Sequence, residues 1–417
     1  MDHVIGLKCL VCGNAYTVDE IAYVCPAHGN EGIVDVRYDY DLIGRRWSRE
    51  DLARSGAYSI WRYKPLLPVE PESPVPSLRV GWTPLYRTPR LAADLGLRHL
   101  WIKDDGQLPT ASFKDRASAI AVVKASEQGA AMIATASSGN AAAALSGLCA
   151  SVGQANTIFV PETAPPAKIA QLLVLGSTVV LVRGTYDEAF ELCLQAACHY
   201  GWYNRNTAYN PYMTEGKKTA AYEICEQLSW HAPDRIFVSV GDGCIIGGVH
   251  KGLKDLCALG WIDRMPRLMG VQAAGSAYLY EAWKHDEAVL TKPPIDAHTL
   301  ADSISVGLPR DRLKAMAAVR ETGGAYLSVT DEEILAAIPA LARGSGVFAE
   351  PAGAAAYAGL IKAVHEGLVD TDERIVVLNT GNGLKDIDGA MKATARVGTK
   401  PYSVAPNLAD LERVLFS

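Results

Sequence analysis

Short apolar segments alternate with alanine-rich segments from about residue 98 onwards. The apolar segments have the length of strands, and the alanine-rich segments carry the spaced apolar residues of amphipathic helices. Strands and helices that alternate in this way form parallel sheets through right-handed βαβ connections. We therefore predict an α/β fold with two open parallel-sheet domains. The predicted strands are 99–105, 130–136, 155–161, 177–184, 235–241, 267–273 and 374–381.

Changes in composition along the chain predict its organisation. The first residues carry cysteine pairs, and the segment after them is rich in Pro and aromatic residues, as expected of an irregular connection. We expect a ligand cleft between the two α/β domains. The predicted segments are a zinc-ribbon-like segment at 1–35, a connector packed on the core at 36–85, a large domain at 86–124 and 221–400, a small domain at 125–220, and a C-terminal tail at 401–417.

Charge and composition exclude several functional classes. Forty basic and 46 acidic residues give a net charge of −6, which does not favour nucleic-acid binding. No apolar run approaches the length of a membrane span, and the first residues lack the pattern of a signal peptide. We expect a cytoplasmic protein whose partner is a small molecule, with neither nucleic acid nor membrane as partner, and we also consider a homodimer.

Two residue pairs near the N-terminus have the spacing of a zinc ribbon. Cys9 and Cys12 form the first pair, and Cys25 and His28 form the second. Three thiolates and one imidazole suit a tetrahedral zinc ion, and a closed four-ligand site is structural rather than catalytic. The alternative is a ribbon that keeps these turns without a metal ion.

Two motifs near predicted strand ends carry groups that suit chemistry. Lys114 opens a predicted helix within the motif 107–116, and a partly desolvated lysine amine is a nucleophile. The second motif, 136–140, lies where a strand meets a helix and ends in Asn140. Such a turn presents free backbone N–H groups to an anion, although Gly-Asn turns also occur as plain connections.

Two further motifs follow later strands. The motif 240–248 has four glycines, which can form a cradle for one phosphate, and its spacing fits neither a P-loop nor a dinucleotide site. Thr380 follows the strand 374–381 and offers a hydroxyl at the ligand edge of a parallel sheet. An amine, an anion turn, a phosphate cradle and a hydroxyl are together what pyridoxal phosphate requires.

These motifs resemble those of threonine synthases, which are fold-type II pyridoxal-phosphate enzymes. The similarity is collinear from about Trp61 to Asp386 and includes 109–116, 138–140, 350–355 and 380–386. The resemblance implies that Lys114 is the catalytic residue and forms a Schiff base with the cofactor. It implies cofactor contacts from Lys114, Phe113, Asn140, Gly241, Asp242, Gly243, Cys244, Ile245, Ile246 and Thr380. It implies substrate contacts from Ser137, Ser138, Gly139, Ala141, Met213 and Ser303.

The implied reaction is a lyase reaction of amino-acid biosynthesis, the conversion of O-phosphohomoserine and water to threonine and phosphate. Two residues depart from the family pattern: Met213 stands where members carry an arginine for the substrate phosphate, and Ala141 replaces a threonine. One explanation is compensation by Lys217, Lys218, Arg205 or Lys168. The other is a paralogue that performs β/γ-replacement or dehydration on a different amino acid.

Three charged residues beside these motifs have ordinary structural explanations. Glu350 begins an alanine-rich segment, where we expect it to cap a helix. We expect Asp115 and Arg116 to pair with each other at the start of their helix.

Overall fold

The computed structural model describes residues 1–164, 166–398 and 400–416. Three sheets are present: a three-stranded antiparallel sheet at the N-terminus, a six-stranded sheet and a four-stranded sheet. None of the helices in these ranges combines the length and the apolar character that a membrane crossing requires.

The thirteen strands of the described ranges are named in chain order. They are β1 Val4–Cys9, β2 Ala15–Tyr16, β3 Val34–Tyr38, β4 Leu85–Arg87, β5 His99–Asp104, β6 Ile133–Ala136, β7 Asn156–Pro161, β8 Thr178–Val182, β9 Tyr203–Asn204, β10 Arg235–Ser239, β11 Arg267–Ala273, β12 Ala325–Val329 and β13 Arg374–Asn379.

The α-helices are named in the same way. They are α1 Tyr40–Arg46, α2 Arg49–Arg54, α3 Pro89–Asp94, α4 Lys114–Glu127, α5 Asn140–Val152, α6 Pro166–Val174, α7 Tyr186–Tyr200, α8 Tyr212–Lys217, α9 Thr219–Gln227, α10 Cys244–Ala258, α11 Tyr278–Lys284, α12 Arg312–Glu321, α13 Asp331–Ser345, α14 Pro351–His365, α15 Ile387–Arg396 and α16 Leu408–Phe416.

The six-stranded sheet has the order β12-β11-β10-β13-β5-β4, and its first five strands are parallel. Only β4 runs antiparallel, against β5. Because β10 and β13 are neighbours, the segments that follow them, starting at Val240 and Thr380, leave the same edge of the sheet. A ligand crevice is expected at this edge.

The four-stranded sheet has the order β8-β7-β6-β9, and its strands are parallel. Its strands lie between residues 133 and 204, whereas the strands of the six-stranded sheet lie in 85–104 and 235–379. The α/β class with parallel sheets is therefore confirmed, including every strand that the periodicity predicts. The domain boundaries themselves stay a prediction.

The N-terminal ribbon extends further than its predicted boundary. Strand β3 pairs with β1 from Val34 to Tyr38, so a boundary at residue 35 cuts this strand. The segment 36–85 forms two helices and a 3-10 helix, and its Ile60, Tyr63 and Leu66 are fully buried. In the C-terminal tail, α16 spans Leu408–Phe416, and Ser417 lies outside the described residues.

Candidate active site

Two loops pair to place Lys114 at the edge of the six-stranded sheet. The Phe113 N–H donates to the Thr380 carbonyl at 2.9 Å, and the Asn382 N–H donates to the Ala111 carbonyl at 3.0 Å. Ala111 has a left-handed backbone with φ 61°, an uncommon conformation for a residue with a side chain. These contacts set Lys114, the first residue of α4, beside the loop that follows β13.

Lys114 lies in the wall of a small cavity of about 70 Å³, which we call the inner cavity. This cavity brings together residues from all four chemistry-bearing motifs, although they are up to 266 residues apart in the chain (Lys114 to Thr380). Its wall consists of Lys114, Asn140, Thr207, Ser239, Gly241, Asp242, Gly243, Cys244, Ile245, Ser303, Ile304, Glu350, Ala352 and Thr380.

The amine of Lys114 and the carboxyl group of Glu350 face this cavity. Burial lowers the pKa of the Lys114 amine, although the Cys244 and Glu350 side chains act in the opposite direction. Burial raises the pKa of Glu350 to about 7, and the lowering effect of Lys114 does not compensate. The Asn140 side-chain amide donates to Glu350 Oε1 at 2.8 Å and lies 3.4 Å from Ser303 Oγ. Both ionisable groups therefore titrate closer to neutral pH than usual.

The glycine-rich turn between β10 and α10 has no room for a side chain at Gly241 or at Gly243. A Cβ at Gly241 would lie 2.9 Å from the Ile304 Cα. A Cβ at Gly243 would lie 2.5 Å from the Ala315 Cβ, and Gly243 also has a left-handed φ of 89°. Helix α10 starts directly after this turn at Cys244, and Gly243, Cys244 and Ile245 all line the inner cavity. The N-terminal end of a helix suits a phosphate.

The inner cavity adjoins a larger cleft of about 970 Å³, which we call the outer cleft. Asn140, Ser303, Glu350 and Ala352 belong to both walls. Other outer-cleft residues come from the turn before α5, from α6 and from the loop after β13. They are Pro109, Thr110, Ala111, Ser138, Gly139, Ala143, Pro161, Thr163, Ala164, Lys168, Gln171, Leu172, Asp302, Pro351, Leu384, Lys385, Asp386, Ile387 and Asp388.

Five residues with predicted contacts are not in either cavity wall. Phe113 and Ile246 are fully buried behind the wall. Ser137 accepts a hydrogen bond from the Gly139 N–H at 3.2 Å and so supports the turn from behind. Ala141 lies on α5 outside both walls, and Met213 is fully buried in the apolar core. Met213 is therefore not part of either described cavity wall.

The expected pairing of Asp115 with Arg116 is wrong. Asp115 accepts a hydrogen bond from the Thr110 N–H at 2.8 Å. Arg116 is fully buried and bonds instead to Asp105 at 2.6 Å and to Glu223 at 2.6 Å. These partners lie after β5 and on α9, so the buried ion pairs hold the helix that begins with Lys114 against both elements.

The expected capping role of Glu350 is also wrong. Its side chain forms no hydrogen bond to the first turn of α14, although it occupies the N-cap position. It turns into the cavity, where Asn140 meets it. Thr207 and Ser239 are wall residues that the motif analysis missed. Ser239 lies within the predicted strand 235–241, and in the structure it is the last residue of β10, whereas no pattern marks Thr207.

A second group of functional side chains lies in the N-terminal ribbon. The ligand atoms of Cys9, Cys12, Cys25 and His28 all lie within 4.8 Å of one another. The Cys12 and Cys25 sulfurs are 3.9 Å apart, close to the roughly 3.8 Å expected of two thiolates at 2.3 Å from one tetrahedral zinc. A Cβ at Gly32 would lie 2.8 Å from the Cys25 Cβ, so this residue must be small.

The model of the pyridoxal-phosphate dependent enzyme family matches residues 76–381. The chain belongs to this family. Threonine synthase of Methanocaldococcus jannaschii is 39% identical over 98% of both chains. Threonine synthase of Methanosarcina acetivorans is 41% identical, also over 98% of both chains. The resemblance that the motifs indicate is thus confirmed over nearly the whole length, including the ribbon.

Two solved structures share the fold. Threonine deaminase isoform 2 from Solanum lycopersicum aligns with a TM-score of 0.65 at 25% identity, covering 76% of this chain and 83% of that chain. Diaminopropionate ammonia lyase from Escherichia coli aligns with the same TM-score at 17% identity, covering 82% and 94%. The fold-type II architecture is therefore confirmed.

Proposed function

We propose that the chain is a threonine synthase that converts O-phosphohomoserine and water to threonine and phosphate. The observation that carries this proposal is the position of Lys114, whose amine has a lowered pKa. Lys114 lines the same cavity as the glycine-rich turn that would hold a phosphate and as Thr380, whose hydroxyl follows a strand end. Full-length relatives named threonine synthase support the choice of reaction. The enzyme class that follows is a carbon–oxygen lyase.

The residues of the inner cavity fit pyridoxal phosphate. In the described part of the chain the side-chain amine of Lys114 has neither a hydrogen bond nor an ion pair, so it is free to form a covalent link. Gly241 and Gly243 pack against Ile304 and Ala315, so a side chain at either would displace the turn that would hold the phosphate. When bound, the cofactor supplies the electron sink that lets bonds at the α and β carbons of an amino acid break.

Thr380 would face the ring nitrogen of the cofactor, and Asn140 would donate to the ring hydroxyl. A hydroxyl group is a much weaker acid than the carboxylic acids that pair with such nitrogens in other enzymes, so Thr380 leaves the nitrogen largely unprotonated. This favours elimination and replacement over transamination. Asn140 keeps its geometry through Glu350, which accepts from the same amide at 2.8 Å.

The outer cleft would hold the substrate. Ser138 and Gly139 precede α5 and lie in its wall, where their N–H groups suit the substrate carboxylate. Lys168 and Lys385 are the cations that the described part of the cleft wall offers to a substrate phosphate. Lys168 forms an ion pair with Asp302, and Lys385 donates to the Thr110 carbonyl at 2.9 Å. Lys114, once released from the cofactor, would move protons at the substrate carbons.

A paralogue with a different substrate remains the alternative function. It is favoured by one observation: the described walls of both cavities contain no arginine, the side chain best suited to bidentate phosphate binding. Phosphate release from O-phosphohomoserine tests the two directly, with O-phosphoserine and threonine as competing substrates. Threonine synthase releases phosphate from O-phosphohomoserine alone. Rapid turnover of another substrate without phosphate release would establish the paralogue.

We further propose that Cys9, Cys12, Cys25 and His28 bind one structural zinc ion. The sulfur separation of 3.9 Å supports this, because it is too long for a disulfide and suits two ligands of one metal. Purified protein should contain one zinc per chain, and Cys12→Ser should remove it. Cys198→Ser, which changes another exposed thiol, is the control. One equivalent of zinc retained by Cys12→Ser would contradict the site.

A cytoplasmic location and a homodimer are proposed on the sequence alone. Cell fractionation tests the first, and sedimentation equilibrium tests the second. A monomer at micromolar concentration would contradict the dimer.

A further inference from the structure

Lys217 and Arg205 are buried cations without a carboxylate partner. Each is 1% exposed. Within the described ranges, neither has a carboxylate oxygen inside 4.0 Å. The neighbouring Lys218 is the contrast, since it pairs with Glu215 at 2.6 Å and with Asp255 at 2.9 Å. A buried charge is costly unless another charge compensates it, so these two cations indicate an anion that belongs beside them.

The contacts that Lys217 and Arg205 do make are with neutral hydroxyl groups. Lys217 Nζ donates to Thr207 Oγ1 at 2.6 Å, and the Arg205 guanidinium donates to Ser118 Oγ at 3.2 Å. Burial lowers the pKa of Lys217 to about 8 and that of Arg205 to about 10. The positive charges of Arg205 and Lys114 also act to lower the pKa of Lys217.

Lys217 lies behind the described wall of the inner cavity and is connected to that wall through its hydrogen-bond partner Thr207. Thr207 belongs to the cavity wall, together with Cys244 at the first turn of α10. Helix α8, which ends at Lys217, lies close against α10, because a Cβ at Gly248 would be 2.6 Å from the Lys217 Cβ. Met213 lies one helical turn earlier and is buried in the apolar core. Lys217 is therefore the cation that α8 offers to this cavity.

Two acidic side chains also face this region. Asp242 is in the cavity wall, and its carboxylate accepts from the Arg310 N–H at 3.2 Å. The Asp311 carboxylate is buried without a hydrogen-bond partner in the described ranges, and it raises the pKa of Lys217. A phosphate dianion here would be repelled by these groups. Arg205, a second buried cation without a carboxylate partner in the described ranges, adds positive charge that offsets part of this repulsion.

We propose that Lys217, supported by Arg205, binds the phosphate of a phosphate monoester at the first turn of α10. This inference rests on the proposed function, which places the cofactor phosphate in the inner cavity and the substrate in the adjoining outer cleft. The phosphate has two possible sources, the 5′-phosphate of the cofactor and the phosphate of the substrate. Both have the same charge and the same acceptor oxygens, so the ammonium of Lys217 and the guanidinium of Arg205 suit either one.

The experiment compares Lys217→Met, Lys217→Arg and the control Lys254→Met, which changes an exposed lysine on α10. Dissociation constants of pyridoxal 5′-phosphate and of pyridoxal are measured on cofactor-free protein, from the visible absorbance of the lysine-bound aldehyde. The KM for O-phosphohomoserine is measured at saturating cofactor. Lys217→Arg keeps the charge and should behave like the wild type in each measurement.

The results distinguish the two sources. If Lys217 binds the cofactor phosphate, Lys217→Met weakens pyridoxal 5′-phosphate about 10- to 100-fold, as expected for a lost charged hydrogen bond, and leaves pyridoxal binding unchanged. If it binds the substrate phosphate, cofactor affinity stays the same and the KM rises by about the same factor. Equal weakening of both aldehydes, or a change below about twofold in every measurement, overturns the proposal.

Stability separates this binding role from a structural one. Because Lys217 forms no ion pair in the described ranges, replacing it by Met removes a buried charge without breaking a pair, and the thermal midpoint of the cofactor-free protein should not fall. Lys217 would be structural if Lys217→Met had a lower midpoint without cofactor but still preferred pyridoxal 5′-phosphate over pyridoxal as strongly as the wild type does. That result would overturn the proposal. A wild-type chain that bound neither aldehyde would overturn the proposed function as well.

Discussion

Glu350→Gln should change how the stability of the cofactor-free protein depends on pH. In the folded chain burial raises the pKa of Glu350 from the ordinary 4.5 to about 7. Between these values the unfolded chain has released the proton and the folded chain has kept it. Folding therefore binds a proton in this window, and the free energy of unfolding falls as the pH rises from 4.5 to 7. Below pH 4.5 the group adds no such penalty.

The size of this effect follows from the raised pKa. One pKa unit corresponds to about 1.4 kcal/mol, so a rise from 4.5 to about 7 lowers the free energy of unfolding by about 3 kcal/mol at high pH. About 2.5 kcal/mol of this loss occurs between pH 5 and pH 8. Glutamine is neutral throughout and can still accept the hydrogen bond from the Asn140 amide. Glu350→Gln should therefore be more stable than the wild type at pH 8, and the two should differ little at pH 5.

Urea unfolding of the cofactor-free protein at pH 5 and pH 8 measures this difference. The control is Glu366→Gln, which removes an exposed carboxylate after the C-terminal end of the same helix, α14. The control should keep the pH dependence of the wild type. If Glu350→Gln also keeps it, Glu350 is ionised in the folded protein at pH 8 without cost, and the reasoning from burial is refuted.

Three further predictions concern the packing around the site. Arg116→Met should lower the free energy of unfolding, measured in urea, by about 3–5 kcal/mol because it leaves buried carboxylates unpaired. The control Arg320→Met breaks an exposed ion pair and should lower the same free energy by about 1 kcal/mol or less. Equal losses would contradict the buried network. Gly243→Ala should weaken cofactor binding more than Gly367→Ala. Both glycines have a left-handed backbone, but only at Gly243 would a Cβ clash with a neighbouring atom. Equal cofactor affinities of the two variants in an absorbance titration would disprove this. Met213→Arg should lower the urea midpoint and should not lower the substrate KM, because Met213 is fully buried and lies in neither described cavity wall. A lower KM would place residue 213 in the cleft wall.

The strands could be predicted because each is a short apolar segment bounded by turns. Residues 374–379 and 235–239, for example, form neighbouring buried strands as the pattern indicates. Strand β12, Ala325–Val329, was missed because its sequence has few strongly apolar residues and it lies at the edge of the sheet. The ribbon boundary was misplaced because a change in composition does not mark where strand pairing ends.

The motif residues of the site could be predicted because parallel strands bring their carboxyl ends to one edge. Thr380 and Lys114 are the example, since the loops that carry them pair directly. Partnerships between distant charges could not be predicted. Glu350 meets Asn140, which is 210 residues away, and Arg116 pairs with Glu223, which is 107 residues away. Local spacing contains no information about such contacts, because they depend on how whole elements pack.

The position of the covalent bond to the cofactor tests the central claim most directly. Borohydride treatment of the purified holoprotein, followed by proteolysis and mass spectrometry, identifies the lysine that carries a reduced pyridoxyl group. The account predicts this group on Lys114 and no modification of that peptide in Lys114→Ala. A modified wild-type protein whose label lies on another lysine, or an unlabelled one, would contradict it.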